Sequence, residues 1–206
     1  MRFLLVCALL PGLAACASFS DDARFSPVES AVKEHELGTH AADSAYELDT
    51  RVVDEAKARG DCCVGVFAGP KLVSYSFNSR LATHIDPEFV FRFPEGWVYH
   101  FKAFTLPEWR GQRLHQFQIA RVVESFAAAP PFHGLVTLVV RTNYASLASF
   151  RRLYFRPAFR FAFVGLGSNR RAAAEPPYQA GAADGAVLLR APGAVETFTV
   201  AKVTGA

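Results

Sequence analysis

Between Trp97 and Ala128 the apolar pattern changes period, and that change fixes a strand running into a helix. From Trp97 to Thr105 the residues alternate, which puts Trp97, Tyr99, Phe101 and Ala103 on one face and Val98, His100, Lys102 and Phe104 on the other. Pro107 ends the strand. From Gln112 to Ala128 the spacing becomes helical: Ile119, Val122, Val123, Phe126 and Ala127 form an apolar stripe, with Gln118, Arg121 and Ser125 off it. Pro130-Pro131 closes that helix, and the unbroken apolar run Leu135–Val140 suits a strand buried on both faces. Asn143 stands at the N-cap of a further helix with Leu147, Phe150 and Tyr154 on one side. Pro157 stops that helix, and Ala158–Gly165 reads as a strand.

The flanks extend this pattern. Tyr46–Arg59 reads as a helix with Leu48, Val52 and Ala56 inward, stopped by Gly60. The runs Cys62–Phe67 and Leu72–Phe77, joined by Ala68-Gly69-Pro70, read as a β-hairpin. Ser79–Gly96 is less regular, Ser168–Gly185 is a loop rich in Ala, Gly and Pro, and a final strand or two lies within Ala186–Val203. Helices and strands in this order predict an α/β fold with a mixed sheet.

At 206 residues, 51% hydrophobic and 20% charged, the chain has the composition of a globular protein with a sizeable core. A net charge of +3 does not call for a nucleic-acid partner. Arg110, Arg113 and Arg121, then Arg141, Arg151, Arg152, Arg156 and Arg160, either make a basic zone suited to a phosphate-bearing small ligand or are scattered and solvated. At the N-terminus, Arg2, the apolar run Phe3–Leu10 and Leu13-Ala14-Ala15-Cys16 resemble a bacterial lipoprotein signal, with Cys16 as lipid anchor. The alternatives are a mis-assigned start or an apolar segment that packs onto the domain. Residues 1–20 are thus a signal or apolar segment, 21–45 a linker or lead-in, and 46–206 the domain. Cys62 and Cys63, adjacent in a strand, read as buried thiols, and no metal-ligand spacing is present.

The chemistry concentrates in Ala103–His115: a strand end, a Pro bend, Arg110-Gly111, then a helix start. The first amides of a helix lack internal partners and lie at the positive end of its dipole. Gly111 permits a tight turn, and Arg110 and Arg113 bring guanidinium groups to the same point. This is an anion site.

The segment resembles the acyl-CoA-binding motif of the GNAT acetyltransferase superfamily, in which Arg or Gln is followed after two residues by Gly, then after one more by Gly or Ala. Arg110 fits the first position, Arg113 stands at the first family glycine and His115 at the second. A second similarity follows: Asn143 and Ser146 match the family's strand-end Asn and the Ser or Ala three residues on. In the family's closing Tyr-x-x-x-Gly-Phe, Phe150 replaces the tyrosine, Tyr154 the glycine, and Phe155 fits.

The resemblance implies a mixed, mostly antiparallel central sheet flanked by helices, from about Tyr46 onward. It implies an N-acyltransferase that takes acetyl-CoA or another acyl-CoA, without a metal. The backbone near Ala103 and Thr105 would hold the pantetheine arm, Arg110, Gly111, Gln112, Arg113, Leu114 and His115 the pyrophosphate, and Asn143 would lie beside the arm. The acceptor would be an amine on a small molecule or a protein, attacking the thioester directly with a base and an acid in attendance. His100 is the candidate base or a packed or solvent-facing histidine, and Tyr154 the candidate acid or a core tyrosine. Glu108 either orients the acceptor or is an ordinary loop carboxylate, and His115 is possible as a plain helix-surface residue. Acyl-CoA chemistry implies the cytoplasm. The alternative is a catalytically inactive envelope protein, lipid-anchored to the membrane through Cys16, that uses a GNAT-like scaffold to bind a ligand; without that lipidation no membrane partner is implied.

Overall fold

A computed structural model describes residues 2–9, 43–165, 170–174, 187–189 and 198–203. Its strands and helices, in chain order, are β1 (Arg2–Leu9), α1 (Thr50–Arg59), β2 (Cys62–Ala68), β3 (Lys71–Ser79), β4 (Thr83–Asp86), β5 (Phe89–Arg92), β6 (Trp97–Thr105), α2 (Leu114–Ala127), β7 (Gly134–Val140), α3 (Tyr144–Arg152), β8 (Arg156–Val164), β9 (Arg171–Ala174), β10 (Val187–Leu189) and β11 (Phe198–Lys202). The chain divides into two compact units. One comprises Pro11–Ser79 and His100–Phe132, the hairpin unit; the other comprises Met1–Leu10, Arg80–Tyr99 and His133–Ala206, the terminal unit.

In the hairpin unit, β2 and β3 pair antiparallel about a turn at Gly69, whose φ of 59° favours glycine. The second half of β6 follows β3, with the Leu106 amide donating to the Val73 carbonyl at 3.0 Å. α1 is capped at its start by Asp49, which accepts from the Arg51 amide, and at its end by Gly60 with φ 69°. It buries Val53 and Ala56, whereas Val52 is only half-buried. The expected inward Val52 is thus corrected to Val53, because Leu48 lies before the helix begins and does not set its phase. Tyr46, Leu48, Val53, Ala56, Tyr75, Phe77, Leu106 and Leu114 form one apolar core.

Two expectations for this unit change. α2 begins at Leu114, two residues later than expected, and Gln118 is fully buried while Ala127 is exposed. Gln118 tolerates burial because its amide donates to the Val64 carbonyl at 3.1 Å, while its oxygen lies 3.3 Å from Ser74 Oγ. The strict alternation in β6 also fails. Lys102 has φ 49°, a left-handed residue inside a strand, which resets the phase by one. Phe101 and Phe104 therefore share a face, packing on Phe77 and Tyr75 at ring separations of 5.7 Å each.

In the terminal unit, β7, β1, β8 and β9 lie side by side in that order, and β10, β11, β5 and β4 form a second sheet. β1 runs antiparallel to both neighbours, Leu4 opposite Val140 on one side and opposite Phe161 on the other. The apolar N-terminal run is a strand in the described fold; Cys16 lies outside the described residues. Ser79–Gly96, expected to be irregular, contains the β4–β5 hairpin. Asp86 makes its turn by accepting from the Glu88 and Phe89 amides at 2.9 and 3.0 Å. Part of the expected loop 168–185 is strand β9, paired with β8. Phe89, Phe91, Trp97, Phe161, Phe163 and Phe198 supply an aromatic core. Arg170 covers it, lying 4.5 Å from the Phe163 ring centroid while paired with Asp86 and Glu88.

Candidate anion-binding turn and its buried histidine pair

The end of β6 is tied down before the chain turns. Ser74 Oγ donates to the Phe104 carbonyl at 2.7 Å and meets Thr105 Oγ1 at 2.8 Å, and Leu106 is buried. A 3-10 turn then spans Pro107–Trp109. Arg110 folds back, its Nε donating to the Thr105 carbonyl at 3.1 Å. On the outer side Lys71 and Glu108 pair at 2.9 Å, both more than half exposed, a contact worth little to stability.

Two left-handed kinks, separated by one residue, lead into α2. Gly111 has φ 82° and Arg113 has φ 62°. An added Cβ at Gly111 would meet nothing within 4 Å, so its conformation, not crowding, favours glycine there. Arg113 occupies the N-cap position with no side-chain cap. The first helical amide bonded within this turn is that of Phe117, to the Arg113 carbonyl at 3.1 Å, so the amides before it have no helical carbonyl to meet. Arg110, Gly111, Gln112 and Arg113 are all exposed around this point, and Leu114 anchors it in the core.

Beneath the first turn, His115 points inward. Its Nε2 lies 3.0 Å from Nε2 of His100, and Nδ1 of His100 lies 2.8 Å from Asn78 Oδ1. His100 is 1% exposed. Burial holds it well below the ordinary histidine range, with the neighbouring His115 adding to the shift, and burial pushes His115 down to about 4. Both rings are therefore neutral at pH 7. Ser74, Ser76 and Asn78, at every second residue of β3, are buried on one face of that strand, and Ser76 Oγ has no hydrogen-bond partner. Sequence reasoning missed this polar lining, although the alternation of serine and asparagine through an apolar strand is its signal.

The hairpin unit thus brings together His100, Ala103, Thr105 and Arg110 through His115. Ala103 is exposed just past the Lys102 kink. Asn143 and Tyr154 belong to the terminal unit. Asn143 caps α3, its Oδ1 accepting from the Ser146 amide at 3.1 Å. Tyr154 does not continue the face of Phe150: it lies past the helix, 56% exposed, with φ 63°. The Tyr154 amide donates to Arg151 and the Phe155 amide to Phe150, both at 3.0 Å, and the Phe150 and Phe155 rings pack at 4.9 Å. This helix end calls for glycine at Tyr154. Tyr154→Gly should raise stability by about 1 kcal/mol in urea melts, since a left-handed non-glycine residue costs roughly that much; a lower midpoint would refute the assignment of this helix end. Among the described residues no cluster of three metal-ligand side chains occurs.

The mostly antiparallel sheets with accompanying helices agree with the mixed α/β fold class that the resemblance implied. No family model and no curated protein matches the sequence. A solved structure of a Drosophila protein, 15% identical, aligns with 77% of this chain at a TM-score of 0.52. The likeness is one of fold. The alignment takes in 48% of the Drosophila chain, so this chain spans about half that protein's length. Solved acetyltransferases also align: one assigned to the GNAT family from Novosphingobium aromaticivorans, 17% identical, over 98% of this chain and 66% of its own at a TM-score of 0.46. Another is the ribosomal-protein-alanine N-acetyltransferase from Brucella melitensis, 14% identical, over 84% and 98% at 0.44.

Proposed function

We propose that the chain is a divergent GNAT N-acyltransferase that uses acetyl-CoA, or another acyl-CoA, to acylate an amine on a small molecule or a protein. The observation that carries the reading is the turn between β6 and α2. Gly111 and Arg113 are left-handed, and Arg110 through Arg113 are exposed immediately before the first turn of the helix, so two arginines flank the same short turn. A helix start beside two arginines is a donor set that suits a diphosphate. Ala103 and Thr105, just upstream, offer backbone to an extended arm such as pantetheine. In the reaction the amine nitrogen attacks the thioester carbon, the carbon–sulfur bond breaks, and the thiolate leaves after gaining a proton. This chemistry assigns the protein to the cytoplasm, where acyl-CoA is made, and membrane attachment would require a lipidated Cys16.

The full-length chain, β1 included, should melt at a higher temperature as acetyl-CoA or free CoA is titrated. At about 100 times the dissociation constant the gain is roughly 2.7 kcal/mol. Arg110→Ala and Arg113→Ala should abolish the shift without lowering the unliganded melting point. A cooperative melt that neither ligand moves would refute the reading.

A further inference from the structure

The chain of hydrogen bonds beneath α2 runs in one direction, and its direction can be read atom by atom. Asn78 Nδ2 donates to the Cys62 carbonyl at 3.3 Å, which turns Asn78 Oδ1 toward His100. That oxygen only accepts, so His100 Nδ1 carries the hydrogen. A second hydrogen on Nε2 would place a cation in a site that is 1% exposed and faces a second imidazole, so Nε2 holds the lone pair. His115 Nε2, 3.0 Å away, must then donate. Both tautomers follow: hydrogen on Nδ1 in His100 and on Nε2 in His115. The chain links the backbone of β2 through β3 and β6 to the second residue of α2.

Arg113 gives no side-chain cap and residues 110–113 are exposed, so the start of α2 is held by Arg110 on the Thr105 carbonyl, by Trp109, Leu114 and Phe117 in the core, and from beneath by His115 on His100. We propose that His100 is a positioning residue: through His115 it fixes the first turn of α2 in the geometry that receives a diphosphate-bearing ligand. This rests on the acyl-CoA reading above. A turn fixed before binding loses less freedom on binding, so the contribution appears as affinity. His100 itself need not touch the ligand.

Two measurements on the full-length chain test this. Long-range proton–nitrogen NMR at pH 7.5 should show the Nδ1–H tautomer for His100 and the Nε2–H tautomer for His115; any other pair overturns the proposal without recourse to a variant. Calorimetric titration with CoA should show His115→Leu binding about tenfold more weakly than wild type, as expected for one lost hydrogen bond. His115→Gln, whose amide can still donate to His100, should recover affinity to within about threefold by the same arithmetic. If both variants fold and bind alike, or His115→Leu binds as wild type does, the positioning role is wrong. Should His115→Leu fail to fold, His100→Gln takes its place, since glutamine can donate to Asn78 and accept from His115. That variant must bind CoA within about threefold of wild type, and weaker binding overturns the role. Wild type that shows the expected tautomers but binds no CoA refutes the acyl-CoA reading and this role with it; wild type that binds CoA with unaffected variants refutes this role alone.

Discussion

Deleting residues 2–9 should leave the protein unable to fold stably. β1 fills the space between β7 and β8, which are both antiparallel to it and therefore parallel to each other. Without it, each loses its partner along that edge, in a region where Leu135, Val136, Val139, Phe161 and Phe163 are buried. A net backbone hydrogen bond is worth about 1 kcal/mol, so losing two ladders removes several kcal/mol. That rivals the roughly 5–15 kcal/mol that holds a whole domain folded. Exposed strand edges also pair between molecules, so the deletion should aggregate on expression. A peptide of residues 2–9 supplied in trans should restore a cooperative melt. A soluble deletion variant with an unchanged urea midpoint would show that β1 contributes nothing to the sheet. Cleavage ahead of Cys16 would remove the same strand.

Stability should fall steeply as the solution is acidified below pH 6.5. His115 titrates near 4 in the folded chain and at 6.5 when unfolded. Between those values the unfolded chain binds the proton and the folded chain does not, so acid favours unfolding; above 6.5 both are neutral and the effect vanishes. Each pH unit costs about 1.4 kcal/mol, giving about 3 kcal/mol by pH 4 for His115 alone. His100, also held well below the ordinary range by burial, adds to the same slope. Urea midpoints at pH 7.5, 6.0 and 5.0 should drop progressively in wild type, and much less in a His100→Gln, His115→Gln double variant. Equal slopes in the two proteins would mean that the pair is not buried and neutral as described.

The parts of the fold that were legible in the sequence are those where one period runs undisturbed. The β2–β3 hairpin, the bounds of β6, the apolar stripe of α2 and the Asn143 cap all follow from spacing and turn chemistry. Legibility failed where a polar residue is buried by satisfying its hydrogen bonds. Gln118 and His100 look like surface residues until Val64, Ser74 and Asn78 are seen to receive them. It failed again at Lys102, whose backbone conformation no side-chain pattern signals. The β4–β5 hairpin was missed because its strands have four residues each, too few for alternation to register. Of the candidate site, the turn and its arginines were visible. The linkage from Cys62 through Asn78 and His100 to His115 was not, since it joins three strands and a helix that only folding brings into contact.

Arg113 and Tyr154 are both left-handed, with φ of 62° and 63°. Each is held by its surroundings in a conformation that glycine adopts freely. The fold thus stores about 1–2 kcal/mol of strain at each position, and in return each turn presents a functional group that glycine lacks, a guanidinium at one and a phenol at the other.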